Sequence, residues 1–219
     1  MPKSKNTISL FTLSEVVLFP GMSLPLHIFE DRYKRMINNC LDNDKKFGVV
    51  FAKGNMCAEV GTLAEILDVE KLEGGKLNIL AEGKDRFKIL DFVSEEPYYE
   101  AVIESYVDKS SQITDPLKKS LQQVRELSLK ALSVFDIVSE QDLSKKIKLP
   151  DEPDELLFLV SANLTCSYES KQSILETRSL KERTSKVLSL LKEEIERLEI
   201  LLKNKETKTE VAKNGKLKI

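Results

Sequence analysis

The chain has 219 residues, of which 41% are hydrophobic and 32% are charged, enough for one good core or two small ones. Its formal net charge is −2, and the two signs are interspersed along most of the length. This balance excludes a strong electrostatic field directed at nucleic acid or at an anionic membrane surface. The three cysteines are widely separated and lack CxxC spacing, and the chain has one histidine, so neither a disulfide framework nor a zinc site is expected.

The N-terminal sequence MPKSKNTISLF lacks the apolar core of a signal peptide. No apolar run approaches the roughly 18 residues that a membrane-spanning helix needs. We therefore expect a cytoplasmic protein that does not contact a membrane.

Residues 8–107 read as strands, because short segments rich in Val, Ile, Leu and Phe alternate with Gly, Pro or charged turns. Gly74-Gly75 predicts a tight hairpin, since glycine readily adopts positive φ and apolar residues alternate on both sides. A second turn is predicted at Glu82-Gly83-Lys84-Asp85. The result would be an antiparallel meander, and closing such a sheet on itself hides its edges.

One helix interrupts this β-rich half. It carries a single apolar stripe at helical spacing, which should dock it on the sheet: Tyr33, Met36, Ile37, Cys40 and Leu41. Before it, Pro20-Gly21 predicts a turn, and Pro25 keeps residue 24 extended.

From residue 114 onward, apolar residues recur at the spacing of three and four positions that is typical of a helix. Asp115 and Pro116 are predicted as N-cap and first-turn residues, Pro153 should open a second helix, and SYESKQSILE a shorter third. A long last helix begins with a capping box at Ser179 and Glu182. Its i, i+4 charge pairs would be Glu193–Arg197 and Glu199–Lys203.

The last helix carries an apolar seam that leaves two uses open, packing in its own bundle or forming a homodimer: Leu188, Leu191, Ile195, Leu198 and Leu202. Residues 204–219 are polar and Lys-rich, and we expect them to be a disordered tail.

Motifs of catalysis are missing from the sequence. The Gly-Lys pairs are never followed by Ser or Thr at P-loop spacing, and neither GxSxG nor HExxH occurs. A thiol–imidazole pair between His27 and a cysteine is conceivable, but the cysteines lie in or beside apolar segments, and a structural or surface role for His27 is the simpler interpretation. We therefore predict no catalytic, cofactor-binding or metal-binding residues.

Three consecutive stretches together are more specific than any one motif: LFPGMSLPLHIFEDRYKRMI, FGVVFAKG and VGTLAEILDVEKLEGGKLNILAEGKDRFKIL. They resemble the N-terminal domain of Lon-type ATP-dependent proteases and its stand-alone relatives. DELLFLVSANLTCSYESKQSILETRSLKERTSKVLSLLKEEIERLEI resembles the helical subdomain and long helix of the same family. The resemblance covers about residues 8–203 and implies an α+β fold. Residues 1–110 would be a PUA-like β pseudo-barrel with one short helix, and residues 111–203 an α-helical bundle with a long terminal helix.

The resemblance implies a non-catalytic module that binds unfolded or exposed protein segments, as an adaptor for a protease or a chaperone. The chain lacks the ATPase module and the Ser-Lys peptidase domain of Lon, so no enzyme activity is expected. The family segment associated with substrate discrimination matches the predicted peptide-binding residues Phe29, Glu30, Asp31, Arg32 and Tyr33.

Two alternatives remain open from the sequence. PUA relatives bind RNA, but an RNA groove needs a basic face with stacking aromatic residues, whereas the pI here is about 5.7 and no basic run is concentrated in the β half. A hydrolase is the second alternative, and it would require a nucleophile that the motifs do not reveal.

Overall fold

The computed structural model describes residues 6–54, 56–140, 142 and 147–215. The chain forms two compact units. The first, here the barrel unit, consists of the residues up to Lys109 together with Ser167–Arg178. The second, here the helical unit, consists of Ser110–Cys166 and the residues from Ser179 onward. Within the described part of the chain, no helix is both long and apolar enough to cross a membrane.

The barrel unit is built on seven strands: β1 (Asn6–Leu13), β2 (Ser23–Ile28), β3 (Lys46–Lys53), β4 (Met56–Cys57), β5 (Val60–Lys71), β6 (Leu77–Ser94) and β7 (Glu100–Ser105). Five of them close into a ring. Five strands pair in the order β1–β7–β6–β5–β3, and a parallel pairing of β1 with β3 completes the circle. β2 pairs with β6 and β4 with β3, outside this ring. The predicted α+β fold with a β pseudo-barrel is thus confirmed.

The hairpin predicted at Gly74-Gly75 joins β5 to β6, and the two glycines have φ of 71° and 68°. The turn predicted at residues 82–85 is wrong, because β6 runs unbroken through it. A glycine occupies position 83 because the backbone of the turn after Phe19 passes close to it and leaves no room for a side chain. Its N–H donates to Met22 O at 2.9 Å and its carbonyl accepts from Gly21 N at 2.8 Å. Along one edge, β6 pairs with β2 before Gly83 and with β7 after it.

The predicted helix of the β-rich half is α1 (Asp31–Leu41). It buries four residues of the predicted stripe, Tyr33, Met36, Ile37 and Cys40, and Leu41 is partly buried. These side chains join a core cluster with residues of β2, β5 and β6. Neighbouring residues of β1 enter different clusters, because successive side chains of a strand point to opposite faces.

The short helix α4 (Tyr168–Leu175) belongs to the barrel unit, whereas the sequence placed it in the helical half. Hydrogen bonds from two buried side chains hold α4 in this unit. Gln172 Nε2 donates to Val60 O at 2.9 Å, and the Arg86 guanidinium donates to Leu175 O at 2.7 Å and to Thr177 O at 3.2 Å. These partners are distant in sequence, so residue periodicity carries no sign of them.

The helical unit contains α2 (Asp115–Ser139), α3 (Pro153–Asn163) and α5 (Leu180–Gly215). The N-cap of α2 is Thr114, so Asp115 is the first residue of the helix rather than its cap. Ser179 precedes α5 as predicted, and its Oγ accepts from Glu182 N at 3.3 Å.

The apolar seam of α5 packs inside the helical unit, where Leu191, Ile195 and Leu198 are at most 5% exposed. Other partners lie closer than the predicted ones, although the predicted pair of Glu199 and Lys203 persists in part. The hydrogen bond from Lys130 lowers the pKa of Glu199, and the charge of Lys203 adds to this effect. Arg197 bonds Glu194, one turn away, and Glu199 bonds Lys130 of α2 at 2.7 Å. The helix also extends through residues 204–215, where the sequence predicts a disordered tail. Residues 216–219 of that tail lie outside the described residues.

Candidate protein-binding surface

The five predicted contact residues lie where β2 ends and α1 begins. Glu30 is the N-cap of α1 and binds Arg32, whose Nε donates to its Oε2 at 3.0 Å. Asp31 forms an ion pair with Lys34 at 2.6 Å, and the hydrogen bond from Lys34 lowers the pKa of its carboxyl group. These charged side chains bind one another at the start of the helix, so their local partners are already defined.

Tyr33 is a core residue. It is 6% exposed, its ring stacks on Phe11 with centroids 4.0 Å apart, and its hydroxyl lies 3.3 Å from Thr12 Oγ1. The Arg32 guanidinium covers the ring at 4.6 Å. A side chain enclosed in this way supports the surface from beneath and has little area left for a ligand.

Phe29 is the opposite case, since 59% of it is exposed. Its ring stacks against His27 at 5.9 Å between centroids. His27 lies on the exposed face of β2, where its Nδ1 is 2.7 Å from Asn78 Oδ1 of β6. Asn78 Nδ2 in turn donates to Glu70 Oε2 of β5 at 2.8 Å. Because the Asn78 amide donates toward Glu70, its oxygen accepts from His27, which places the proton on Nδ1 and leaves Nε2 toward solvent.

This polar row crosses three strands, and exposed apolar residues follow it along the same face. Pro25 stands opposite Leu80, and Leu80 is also opposite Asp68 of β5. A register shift between Ile66 and Asp68 makes Leu67 the extra residue of a bulge, and Leu67 is 53% and Leu80 40% exposed. We call this face, with Phe29 at its end, the β2–β6–β5 surface. Its members are Pro25, His27, Phe29, Leu67, Asn78 and Leu80.

The charges around the β2–β6–β5 surface are mainly acidic. Lys84 is held between two carboxylates, at 2.9 Å from Glu82 and 3.7 Å from Glu65. The hydrogen bond to Glu82 raises the pKa of Lys84, so the ammonium form is favoured. Asp68 and Glu70 add two more acidic groups on β5. Such a face attracts positively charged segments and repels a phosphate backbone.

The residues predicted from the sequence include Phe29 but not Leu67 or Leu80. A signal was present, because each is the second of two adjacent apolar residues in a strand, after Ile66 and Ile79. With a side-chain period of two, one member of such a pair faces outward unless both faces of the sheet are covered. The same signal marks Leu90, which follows Ile89, and Val93, which follows Phe92, in a separate exposed group at the end of β6.

The structure disfavours a catalytic role for the buried thiol of Cys40. Burial raises the pKa of the Cys40 thiol to about 11, so Cys40 stays protonated near neutral pH and is a poor nucleophile. Among the described residues, no group of three or more His, Cys, Asp or Glu side chains is placed so that it could hold a metal ion.

Comparison with known proteins gives a coherent result. A family model described as the ATP-dependent protease La (LON) substrate-binding domain matches residues 7–193. The chain is 27% identical over 215 residues to the Lon protease of Syntrophus aciditrophicus, an alignment that covers 90% of this chain and 26% of that protein. It is 30% identical over 205 residues to the Lon protease of Flavobacterium johnsoniae, covering 89% and 25%, respectively. The chain thus spans about a quarter of the length of these relatives.

Solved structures share the fold at lower identity. The N-terminal domain of a Mycobacterium avium complex Lon protease matches with a TM-score of 0.68 at 17% identity, covering 85% of this chain and 98% of that one. A Lon N-terminal domain protein from Xanthomonas campestris gives a TM-score of 0.64 at 19% identity, covering 84% and 98%. The family match extends over the barrel unit and most of the described helical unit, and it includes β2, β5 and β6. The chain therefore belongs to the family of the Lon (protease La) substrate-binding domain.

Proposed function

We propose that this protein is a non-catalytic module that binds unfolded or exposed polypeptide segments in the cytoplasm, through the β2–β6–β5 surface. The observation that carries the proposal is the exposure of Phe29, Leu67 and Leu80 around the hydrogen-bonded row on one sheet face. An extended peptide can lay alternate apolar side chains on such a surface. Phe29 is the contact residue among the five predicted ones, and Tyr33 belongs to the core.

The surrounding carboxylates define a preference. Glu65, Glu70, Glu82 and Asp68 outnumber Lys84 on this face, so an apolar segment flanked by Lys or Arg is the best match in charge. The same charges argue against the RNA alternative, because a single-stranded RNA groove needs a basic path along the backbone.

The similarity to Lon proteases supports a role in proteolysis. In this proposal the module presents bound segments to a protease or a chaperone and cleaves nothing itself. The family's description as a substrate-binding domain supports a role in binding substrates, with cleavage left to another protein.

The test is fluorescence anisotropy with a labelled 15-residue peptide of Leu, Phe, Gly and Lys, and a second peptide in which Glu replaces Lys. The double variant Phe29→Ser/Leu80→Ser should bind the Lys peptide at least tenfold more weakly, because two apolar contacts of roughly 1 kcal/mol each are lost. Ile200→Ser in α5 is the matched control, since Ile200 is also 59% exposed. The wild-type chain should prefer the Lys peptide, and this preference should weaken with added salt.

Unchanged affinity of the double variant would refute the assignment of this surface. Competition by single-stranded oligouridine at low micromolar concentration, with the double variant unaffected, would instead favour RNA binding.

A further inference from the structure

We propose that His27 determines how strongly the β2–β6–β5 surface prefers positively charged segments. The neutral imidazole leaves this face acidic, and a proton taken up on Nε2 adds a positive charge that weakens the preference for Lys or Arg. The inference rests on the proposed function, because it concerns segments bound to the same surface. It adds a dependence on pH that the apolar contacts do not have.

The hydrogen bonds of His27 determine where the proton is gained. Nδ1 of its ring is 2.7 Å from Asn78 Oδ1, and Asn78 Nδ2 donates to Glu70 Oε2 at 2.8 Å. An ionised carboxylate only accepts hydrogen bonds, so the amide nitrogen of Asn78 faces Glu70 and the amide oxygen faces the ring. The neutral ring therefore carries its proton on Nδ1, and Nε2 is the nitrogen that becomes protonated.

Protonation of Nε2 changes the charge of the surface without breaking its hydrogen bonds. Both nitrogens donate in the imidazolium form, so Nδ1 still donates to Asn78 and the polar row from β2 to β5 stays intact. His27 is exposed, and its ring stacks against Phe29 with centroids 5.9 Å apart. The new charge thus lies beside an apolar contact residue, and only the electrostatic part of binding responds to pH.

The charged groups around His27 are mainly acidic. At the start of α1, Glu30 is paired with Arg32 and Asp31 with Lys34, so these charges nearly cancel. Adjacent strands lie about 4.8 Å apart, so β5 is roughly 10 Å from His27, about one Debye length at 0.1 M salt. One added charge therefore acts across the three strands. Their charged groups on this face are Glu65, Asp68, Glu70, Glu82 and Lys84, and Lys76 precedes β6 at the hairpin.

The pH range of the effect separates His27 from its neighbours. Histidine ordinarily changes charge between about pH 5 and 8, whereas carboxyl groups titrate near pH 4. The chain has one histidine. The pKa of Lys84 is raised by its hydrogen bond to Glu82, so the ammonium group stays charged throughout this range. Burial raises the pKa of the Cys40 and Cys57 thiols, so both stay neutral.

The test measures the Lys and Glu peptides by fluorescence anisotropy at about pH 8 and about pH 5.5, at one low ionic strength. The ratio of the two affinities cancels every effect of pH that the peptides share. In the wild type, the preference for the Lys peptide should fall roughly twofold to fivefold at the lower pH. This is the screened effect, in water, of one unit charge at about 8 Å on two peptides of opposite charge.

Two variants keep the charge of residue 27 constant. His27→Asn is neutral at both pH values and retains an amide donor toward Asn78, so it should show the high preference at both. His27→Lys is charged at both and should show the low preference at both. The matched control adds Ile200→His to His27→Asn, because position 200 is exposed in the helical unit. This imidazole should not restore the pH dependence.

Nitrogen NMR of the single histidine should find the proton of the neutral ring on Nδ1. A proton on Nε2 would overturn the proposal. An unchanged preference in the wild type, an equal fall in His27→Asn, or restoration by Ile200→His would also overturn it. Each of these results leaves the proposed function intact if Phe29→Ser/Leu80→Ser still weakens binding. Unchanged affinity of that double variant would instead refute the surface, and this inference with it.

Discussion

Replacing Arg86 by methionine should release α4 from the barrel unit. The Arg86 side chain is 5% exposed and donates to the carbonyls of Leu175 and Thr177 and to the Asp108 carboxylate. Methionine fills a similar volume but donates no hydrogen bond. Two carbonyls at the end of α4 and one carboxylate would then lose this donor, while the apolar packing stays nearly constant.

The expected loss can be bounded from these contacts. Removing one partner of a buried ion pair typically costs about 3–5 kcal/mol. The Asp108 side chain is 24% exposed, so water can solvate part of its charge once the guanidinium is gone. We therefore expect the lower end of this range, about 3 kcal/mol, which lowers the equilibrium constant for docking α4 roughly a hundredfold.

Urea titration and amide hydrogen exchange of the full chain measure the effect. The amides of α4 should lose most of their protection in Arg86→Met, while those of β6 change less. Arg32→Met is the matched control, because Arg32 forms an exposed ion pair and its side chain is 49% exposed, so a change below about 0.5 kcal/mol is expected. Equal protection of α4 in Arg86→Met and the wild type would refute the reasoning.

The remaining predictions concern the barrel unit. In urea titrations, Tyr33→Ala should lower the free energy of unfolding by about 3–5 kcal/mol, because its ring is enclosed in the core. Phe29→Ala should lower it by less than about 0.5 kcal/mol, because that ring is exposed. Similar losses for both variants would contradict the assignment of Tyr33 to the core and of Phe29 to the surface. Gly83→Ala should cost about 1–3 kcal/mol, since a Cβ there would lie 2.3 Å from Phe19 O, and an unchanged melting temperature would show that this approach is not as close. The Cys40 pKa is raised by burial from 9.0 to about 11, so the folded state retains the thiol proton that the unfolded chain releases above pH 9. The contribution of Cys40 to stability should therefore be constant below pH 9 and fall by up to roughly 2–3 kcal/mol between pH 9 and 11, and a Cys40→Ala variant that keeps the same slope would assign it to other groups.

Part of the candidate surface could be found from the sequence. Phe29 was included because it lies in a stretch that resembles the Lon family, whereas Leu67 and Leu80 of the same sheet face are 38 and 51 residues further along the chain. Only the pairing register places Pro25 beside Leu80. Tyr33 shows the limit of such a prediction, because membership of the matching stretch does not distinguish a contact residue from the core residue beneath it.

What the sequence determined by itself is local in origin. The spacing of apolar residues determined which face of α1 is buried, and two adjacent glycines with positive φ determined the β5–β6 hairpin. A serine N-cap determined where α5 starts. The tertiary structure decided what depends on groups distant in the chain. Gly83 reads as a turn because glycine favours turns, but it lies within a strand because Phe19 approaches its backbone. α4 reads as part of a helical bundle, but Arg86 and Gln172 bind it to the barrel unit, since buried polar groups require partners wherever the fold provides them.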